Sequence, residues 1–250
     1  MSLFRIAALT ASTFRVTARA AWRMRGLPDG PERWRAAAEW QRRGAREALA
    51  ASGIEVRQVG DLPDRPALLV ANHSSLLDGW VLAAVLPFAI VGKAEVMGWP
   101  GVGFVARTYG LVAVDRERRR ATDGFVERVQ ARIAAGVSVL VFAEGTTSEG
   151  AVLLPFKTGA FEAVAGTGVP VVPVFQSIEE TASGPVTGRR AFAWVNEPLV
   201  RVLRRLYRQR PRVAVVRIGP PIATEGETRK TLAVKTRAAV AALDPLGRSA

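Results

Sequence analysis

The sequence has no cysteine and a single histidine, His73, in 250 residues. The first absence excludes disulfide scaffolds, thiol nucleophiles, iron–sulfur clusters and cysteine-ligated zinc. The second excludes multi-histidine metal sites, and no metal or other cofactor is expected. Long hydrophobic runs are missing too. A membrane-spanning helix needs about 20 mostly apolar residues, and the longest apolar run, Trp80 to Val91, is short and broken by Pro87. The N-terminal stretch carries Arg5, Arg15 and Arg19 and lacks a clean small-residue cleavage site, so it does not read as a signal peptide. Acidic residues are outnumbered, 22 against 35 basic ones, for a net charge of +13. Such a field attracts a polyanion: nucleic acid, an anionic membrane or a phosphorylated substrate. Nucleic acid is disfavoured. No recognisable binding motif is present, and the basic residues alternate with aliphatics more than with aromatics that could stack on bases.

What is present is a globular composition, 49% hydrophobic and 23% charged, long enough for one large domain with a small appendage. Residues 3–24 fit a helix. Leu3, Phe4, Ile6, Leu9, Phe14 and Val16 cover one broad side, and Arg5, Arg15, Arg19 and Arg23 fall within an arc of about 80°. A turn over Gly26–Gly30 and Pro31 at a first helical position open a second helix, which Ser52-Gly53 ends. Residues 1–52 therefore read as an amphipathic helical hairpin and 53–250 as the main domain. In the latter, β-branched runs at 67–71, 89–92, 111–114, 138–142, 169–175, 190–195 and 213–218 alternate with helical stretches at 75–86, 117–135, 157–166, 199–208 and 226–243. That alternation predicts an α/β fold with a mixed, largely parallel sheet flanked by helices.

The polar cluster Asn72-His73-Ser74-Ser75 follows an apolar strand, and the carboxyl lip of a strand is where such sheets bind ligands. Asp78 lies five residues past His73, about 140° away on an ideal helix. The two meet only if His73 sits in the turn before a helix and Asp78 in its first turn. Asp78 then holds one ring nitrogen and leaves the other as a base. Ser75-Leu-Leu-Asp78 also reads as a capping box, a purely structural role. A second strand, 139–142, runs into Glu144-Gly145-Thr146-Thr147-Ser148. This is either an ordinary turn or a cradle of hydroxyls and N–H groups for a polar head group. Lys157 stands at an expected helix start, where a cation is favoured only beside an anion. Val169-Pro-Val-Val-Pro-Val suits an edge or irregular strand.

In this order the elements resemble the glycerolipid acyltransferase family, the enzymes acylating 1-acylglycerol-3-phosphate and related lysophospholipids. Its N-H-x4-D motif matches Asn72-His73 to Asp78. Its glycine-containing basic segment matches Gly92-Lys93, and its E-G-T-[RT]-S motif matches residues 144–148. Its F-K-x-G motif matches Phe156–Gly159 and its V-P-V-x-P motif Val169–Pro173. The resemblance spans roughly residues 54–222. It implies that His73 is the general base and that Asp78 orients it. An acceptor hydroxyl would attack an acyl thioester, carried by coenzyme A or acyl carrier protein, with no covalent acyl-enzyme. Asn72, Ser74, Lys93, Glu144, Gly145, Thr146, Thr147, Ser148 and Lys157 would shape the substrate site.

Many relatives that use lysophosphatidate have arginine where this chain has Thr147, which removes one expected phosphate ligand. Lys93, Lys157 and the arginines at 116 and 118–120 are the compensating cations. The expected acceptor is 1-acyl-sn-glycerol-3-phosphate, giving phosphatidic acid, with lyso-ornithine lipid as the alternative. A hydrolase is the other enzymatic reading, but no G-x-S-x-G elbow or metal cluster supports it. The hairpin, and a helix at 199–208 with Arg201, Arg204, Arg205 and Arg208 on one side, predict peripheral binding to an anionic membrane, on its cytoplasmic face. For both helices a core-packed role with a solvated arginine face stays open.

Overall fold

The computed structural model describes the chain except residues 1–2, 76, 115–120, 149–151, 182, 186–192, 195–196, 199–200, 203, 206–207, 209–210, 246 and 248–250, with backbone alone at 3–7 and 121–123. The arginines at 116 and 118–120 lie outside the described residues, as do most of the expected strand at 190–195 and half of the helix at 199–208.

Helices α1 (Leu3–Arg23) and α2 (Pro31–Ala51) form the expected hairpin. The strands that follow are β1 (Glu55–Val59), β2 (Leu68–Ala71), β3 (Phe88–Lys93), β4 (Val112–Val114), β5 (Ser138–Val141), β6 (Val171–Thr181), β7 (Gly184–Pro185) and β8 (Pro211–Ile218). Helices α3 (Asp78–Val85), α4 (Val102–Thr108), α5 (Ala121–Ala134) and α6 (Arg229–Ala242) accompany them, with a 3-10 turn at Ala94–Gly98 and helical residues at 201–202, 204–205 and 208. The sheet order is β1-β8-β6-β2-β5-β3-β4, with β7 on the far end of β6. All pairings are parallel except those of β6 with β8 and β7.

The sheet is buried on both sides, which is why its central strands read as unbroken apolar runs. All four residues of β2 are buried. Leu69 and Ala71 face one apolar layer with α3 and the Ala45–Leu49 side of α2, whereas Leu68 and Val70 face another with Phe161, Phe175 and Leu232. The hairpin thus contributes to the main core. Arg46 Nε donates to the Ala84 carbonyl at 2.6 Å, and Arg35 Nη1 to that of Ala135 at 2.9 Å.

Two expectations change here. β6 is an interior strand between β8 and β2, not an edge strand. Pro173 is tolerated because its nitrogen falls beyond the β6–β8 ladder, which begins at Val174–Ile218, while its carbonyl still accepts the Gly219 N–H at 2.9 Å. The expected helix at 157–166 is only a single 3-10 turn, Thr158–Phe161, followed by turns. Gly159 sits inside that turn, and Gly166 and Gly168 both adopt positive φ, which an α-helix does not accommodate.

Candidate active site

β2 runs parallel to β5 with Val70 opposite Val141. Their carboxyl ends, Asn72-His73 and Phe142 to Glu144, therefore leave the sheet side by side. Asp78 is the first residue of α3, and His73 lies in the turn before it. His73 Nδ1 is 2.9 Å from Asp78 Oδ2. The same oxygen accepts the backbone N–H groups of Ser74 at 2.7 Å and Ser75 at 2.8 Å. With the carboxylate as acceptor, the proton belongs on Nδ1 and the lone pair on Nε2. Nε2 has no hydrogen-bond partner among the described residues. The histidine side chain is 24% exposed and the aspartate 1%.

Half of the capping box is built. Asp78 accepts the Ser75 N–H, but Ser75 Oγ accepts from Leu77 N–H at 3.2 Å rather than from Asp78. One carboxylate oxygen thus fixes the helix entrance and the imidazole together. Its partner Oδ1 is buried with no hydrogen-bond partner.

The second turn is locked onto the first. Glu144 is 2% exposed. Its Oε1 accepts the His73 N–H at 2.8 Å and its Oε2 the Leu154 N–H at 3.0 Å. The Ser148 hydroxyl adds a further hydrogen bond, and the Ser148 N–H donates to the His73 carbonyl at 3.0 Å. Burial pushes the Glu144 carboxyl above its ordinary value, against the opposing pull of the His73 and Leu154 N–H groups. Gly145 turns the chain at φ 76° and donates its N–H to the Phe142 carbonyl at 3.0 Å.

The expected site residues therefore separate. His73, Ser74, Asp78, Glu144 and Ser148 share one hydrogen-bond network. Asn72 is buried, and its amide brackets the backbone of Gln176 on β6, accepting N–H at 2.8 Å and donating to C=O at 3.0 Å. Thr146 is exposed and Thr147 half-buried beside the network. Lys93 ends β3, which pairs with β5 on the same lip. It stands two strand positions from β2, about 10 Å across the sheet. Lys157 is exposed, and its N–H clips to the Ala143 carbonyl at 2.8 Å. The 3-10 turn it precedes is four residues long, so the expected opposition to a helix dipole does not arise.

Three neighbours escaped sequence reading. The Phe142 ring stacks on the His73 ring, with centroids 3.9 Å apart and planes 11° apart. Gln176 receives Asn72, and the Trp194 N–H donates to the Ser74 carbonyl at 2.8 Å. Phe142 shares the face of Leu69, Ala71 and Leu140, a relation that alternation reveals only once the strand register is known.

Residues 53–177 match the family model described as Acyltransferase. The chain is 36% identical over 194 residues to the lyso-ornithine lipid O-acyltransferase of Brucella abortus, covering 72% of each chain. To the enzyme of the same name from Pseudomonas aeruginosa it is 32% identical over 228 residues, covering 88% of this chain and 84% of that one. It is also 34% identical over 154 residues to the 1-acyl-sn-glycerol-3-phosphate acyltransferase of Neisseria gonorrhoeae, 60% of each chain. The crystal structure of the 1-acyl-sn-glycerophosphate acyltransferase from Thermotoga maritima shares the fold, with a TM-score of 0.69 over 98% of both chains at 22% identity. The protein belongs to the acyltransferase family.

Proposed function

We propose that the protein transfers an acyl group from a thioester, on coenzyme A or acyl carrier protein, to the free hydroxyl of a lysolipid. The observation that carries this reading is the His73–Asp78 pair at the lip of the sheet, with Nδ1 engaged and Nε2 free. Nε2 takes the proton of the acceptor hydroxyl as its oxygen attacks the thioester carbon. The imidazolium that forms is stabilised by Asp78. Collapse of the tetrahedral adduct breaks the carbon–sulfur bond, and the proton passes from Nε2 to the departing thiolate. The products are an ester and a free thiol. Glu144 and Ser148 support this reading by holding the His73 backbone, so the role we assign them is bracing rather than acceptor contact.

For the acceptor we propose lyso-ornithine lipid. Thr147 carries no charge for a phosphomonoester, and the relatives that bear that name run along most of this chain. The expected lysophosphatidate reading keeps its support in Lys93 and in the gonococcal relative.

We also propose that the protein acts as a peripheral enzyme on the cytoplasmic face of a membrane. No helix among the described residues is long and apolar enough to cross one. Phe14 on α1 and Trp99, Val102 and Phe104 around the start of α4 are each 36–45% exposed. Phe14 lies against the residue that precedes α4, since a Cβ at Gly101 would be 2.7 Å from Phe14 Cζ. Lys93 and Arg107 flank this patch in sequence. Exposed aromatics beside cations fit an anionic lipid surface. Arg15 and Arg19, expected on the membrane side, instead reach Glu47 of α2 at 2.5 and 3.3 Å.

The deciding experiment is His73→Ala assayed with a thioester donor and both lysolipids. Turnover should fall about 10²–10⁴-fold, the usual worth of a general base, with an unchanged melting temperature. Retention of more than about a tenth of turnover would overturn the base assignment.

A further inference from the structure

The basic helix at 201–208 is not uniform. Arg201, Arg204 and Arg208 are exposed, but Arg205 is drawn inward. Its guanidinium bonds the Ala193 carbonyl and reaches Glu197 Oε1 at 2.5 Å. Glu197 is the better buried partner, with a side chain 13% exposed. Arg205 Nε is buried without a partner, so the side chain gives up one donor to hold this position. It thereby engages Ala193 and Glu197, on either side of Trp194 in the sequence. The Trp194 indole N–H donates to the Glu197 carbonyl at 2.9 Å, and the Trp194 ring packs against the apolar layer that contains Leu77 and Val81.

Among the described residues, Trp194 links this contact to Ser74, the neighbour of His73. The Trp194 N–H donates to the Ser74 carbonyl at 2.8 Å, while the Ser74 N–H donates to Asp78 Oδ2 at 2.7 Å. Ser74 is thus held from both ends, by Asp78 on one side and Trp194 on the other. One guanidinium nitrogen, Nη2, meets both the Glu197 carboxylate and the Ala193 carbonyl, on a planar group whose reach and donor directions a lysine ammonium does not reproduce.

We propose that Arg205 is a positioning residue for acyl transfer: with Glu197 it fixes the Trp194 backbone, and through it Ser74 and the orientation of the His73–Asp78 pair. The proposal rests on the assignment of His73 as the base. It separates Arg205 from the exposed arginines of the same segment, Arg201, Arg204 and Arg208. Loosening this contact should let Ser74 shift without changing what the acceptor touches, so the loss should appear in kcat and not in KM.

The test compares Arg205→Gln, Arg205→Lys, Trp194→Phe and Arg204→Gln in the full chain. Acceptor kinetics are measured in detergent micelles and binding by flotation with phosphatidylglycerol vesicles. Arg205→Gln should lower kcat about 10- to 100-fold, the scale of a small misplacement of reacting groups, with acceptor KM within about twofold. Arg205→Lys should recover only part of it. Vesicle binding lost by Arg205→Gln should be no greater than that lost by Arg204→Gln. Trp194→Phe removes the indole N–H that closes onto Glu197, together with part of the ring's packing, and should lower kcat in the same sense by a smaller factor. This variant carries the test if Arg205→Gln fails to fold. Wild-type kcat in both Arg205→Gln and Trp194→Phe, or a loss confined to KM and vesicle binding, would overturn the proposal. With His73→Ala inactive, that result would leave the base assignment standing. An active His73→Ala would instead remove the reading on which this one rests.

Discussion

Replacing Glu144 by glutamine exchanges a carboxylate oxygen for an amide nitrogen at almost constant volume. In the wild type both oxygens face backbone N–H groups, those of His73 and Leu154. A glutamine offers an acceptor to one of them and a donor to the other. One buried N–H is left unsatisfied, a loss of about 1–3 kcal/mol, and Glu144 is too deeply buried for solvent to compensate. For a chain of this size about 2 kcal/mol lowers Tm by roughly 4–8 °C. The penalty depends on pH. Burial raises the Glu144 carboxyl above its ordinary 4.5. Between 4.5 and that raised value the folded protein holds a proton that the unfolded chain has lost, so wild-type stability falls as pH rises through this window. A protonated carboxyl still keeps an acceptor lone pair on each oxygen, which an amide nitrogen does not. The stability gap between wild type and Glu144→Gln should therefore be widest near pH 4.5, narrow as pH rises, and level off above the folded value. Thermal melts across that range, together with steady-state kinetics, measure it. Turnover should fall about tenfold or more as the His73 backbone loosens, with acceptor KM unchanged. A gap that widens with pH would show that the fold favours the ionised carboxylate and would refute the burial argument. A loss in KM alone at constant Tm would return Glu144 to the acceptor site.

Asp78→Asn should cost turnover as severely as His73→Ala. Normal turnover per folded molecule with a lowered Tm would reduce Asp78 to its helix-entrance role. Thr147→Arg should harm acylation of lyso-ornithine lipid and leave that of lysophosphatidate intact or improved, because it adds a bidentate phosphate ligand. Identical acceptor ratios in the two proteins would show that position 147 does not select the head group. Trp99→Ser combined with Phe104→Ser should weaken flotation with anionic vesicles while micellar kcat is retained, and high salt should weaken it for the wild type as well. Undiminished flotation of the double variant would remove the patch from the membrane reading.

Sequence patterning carried most of the architecture because the central apolar runs coincide with strands buried on both faces, β2 and β5 above all. β2, β3, β5 and β8 fall within a few residues of where β-branched density places them. β1 escaped notice because Glu55-Val-Arg-Gln-Val is an exposed edge strand with charges on it, as edges require. Glycine decided against helix at 157–166, where local spacing alone looked helical. The prolines of β6 were misplaced for a topological reason. A residue without an N–H fits inside a sheet wherever the neighbouring strand has ended, and only the Pro173–Gly219 contact shows that it has.

The site was legible by residue type but not by direction. A separation of five positions from His73 to Asp78 left one geometry in which they meet, a turn followed by a first helical residue, and that geometry is the one found. Motif membership placed Asn72, Glu144 and Ser148 at the lip, but it did not say which way each polar atom points. The direction follows from strand register. With Val70 opposite Val141 and Val70 opposite Pro173, two to three residues further along each chain bring Asn72 beside Gln176 of β6 and Glu144 beside His73. The polar atoms of Asn72 are then engaged by the β6 backbone and those of Glu144 by the His73 and Leu154 N–H groups, which on the proposed reading leaves them as bracing rather than as acceptor contacts. The residues left facing outward are Thr146, half-buried Thr147, Lys93 and Lys157. On the proposed reading, selection between one lysolipid and another falls to these residues, which is why a single substitution at 147 tests the acceptor while substitutions at 144 or 205 test only the machinery.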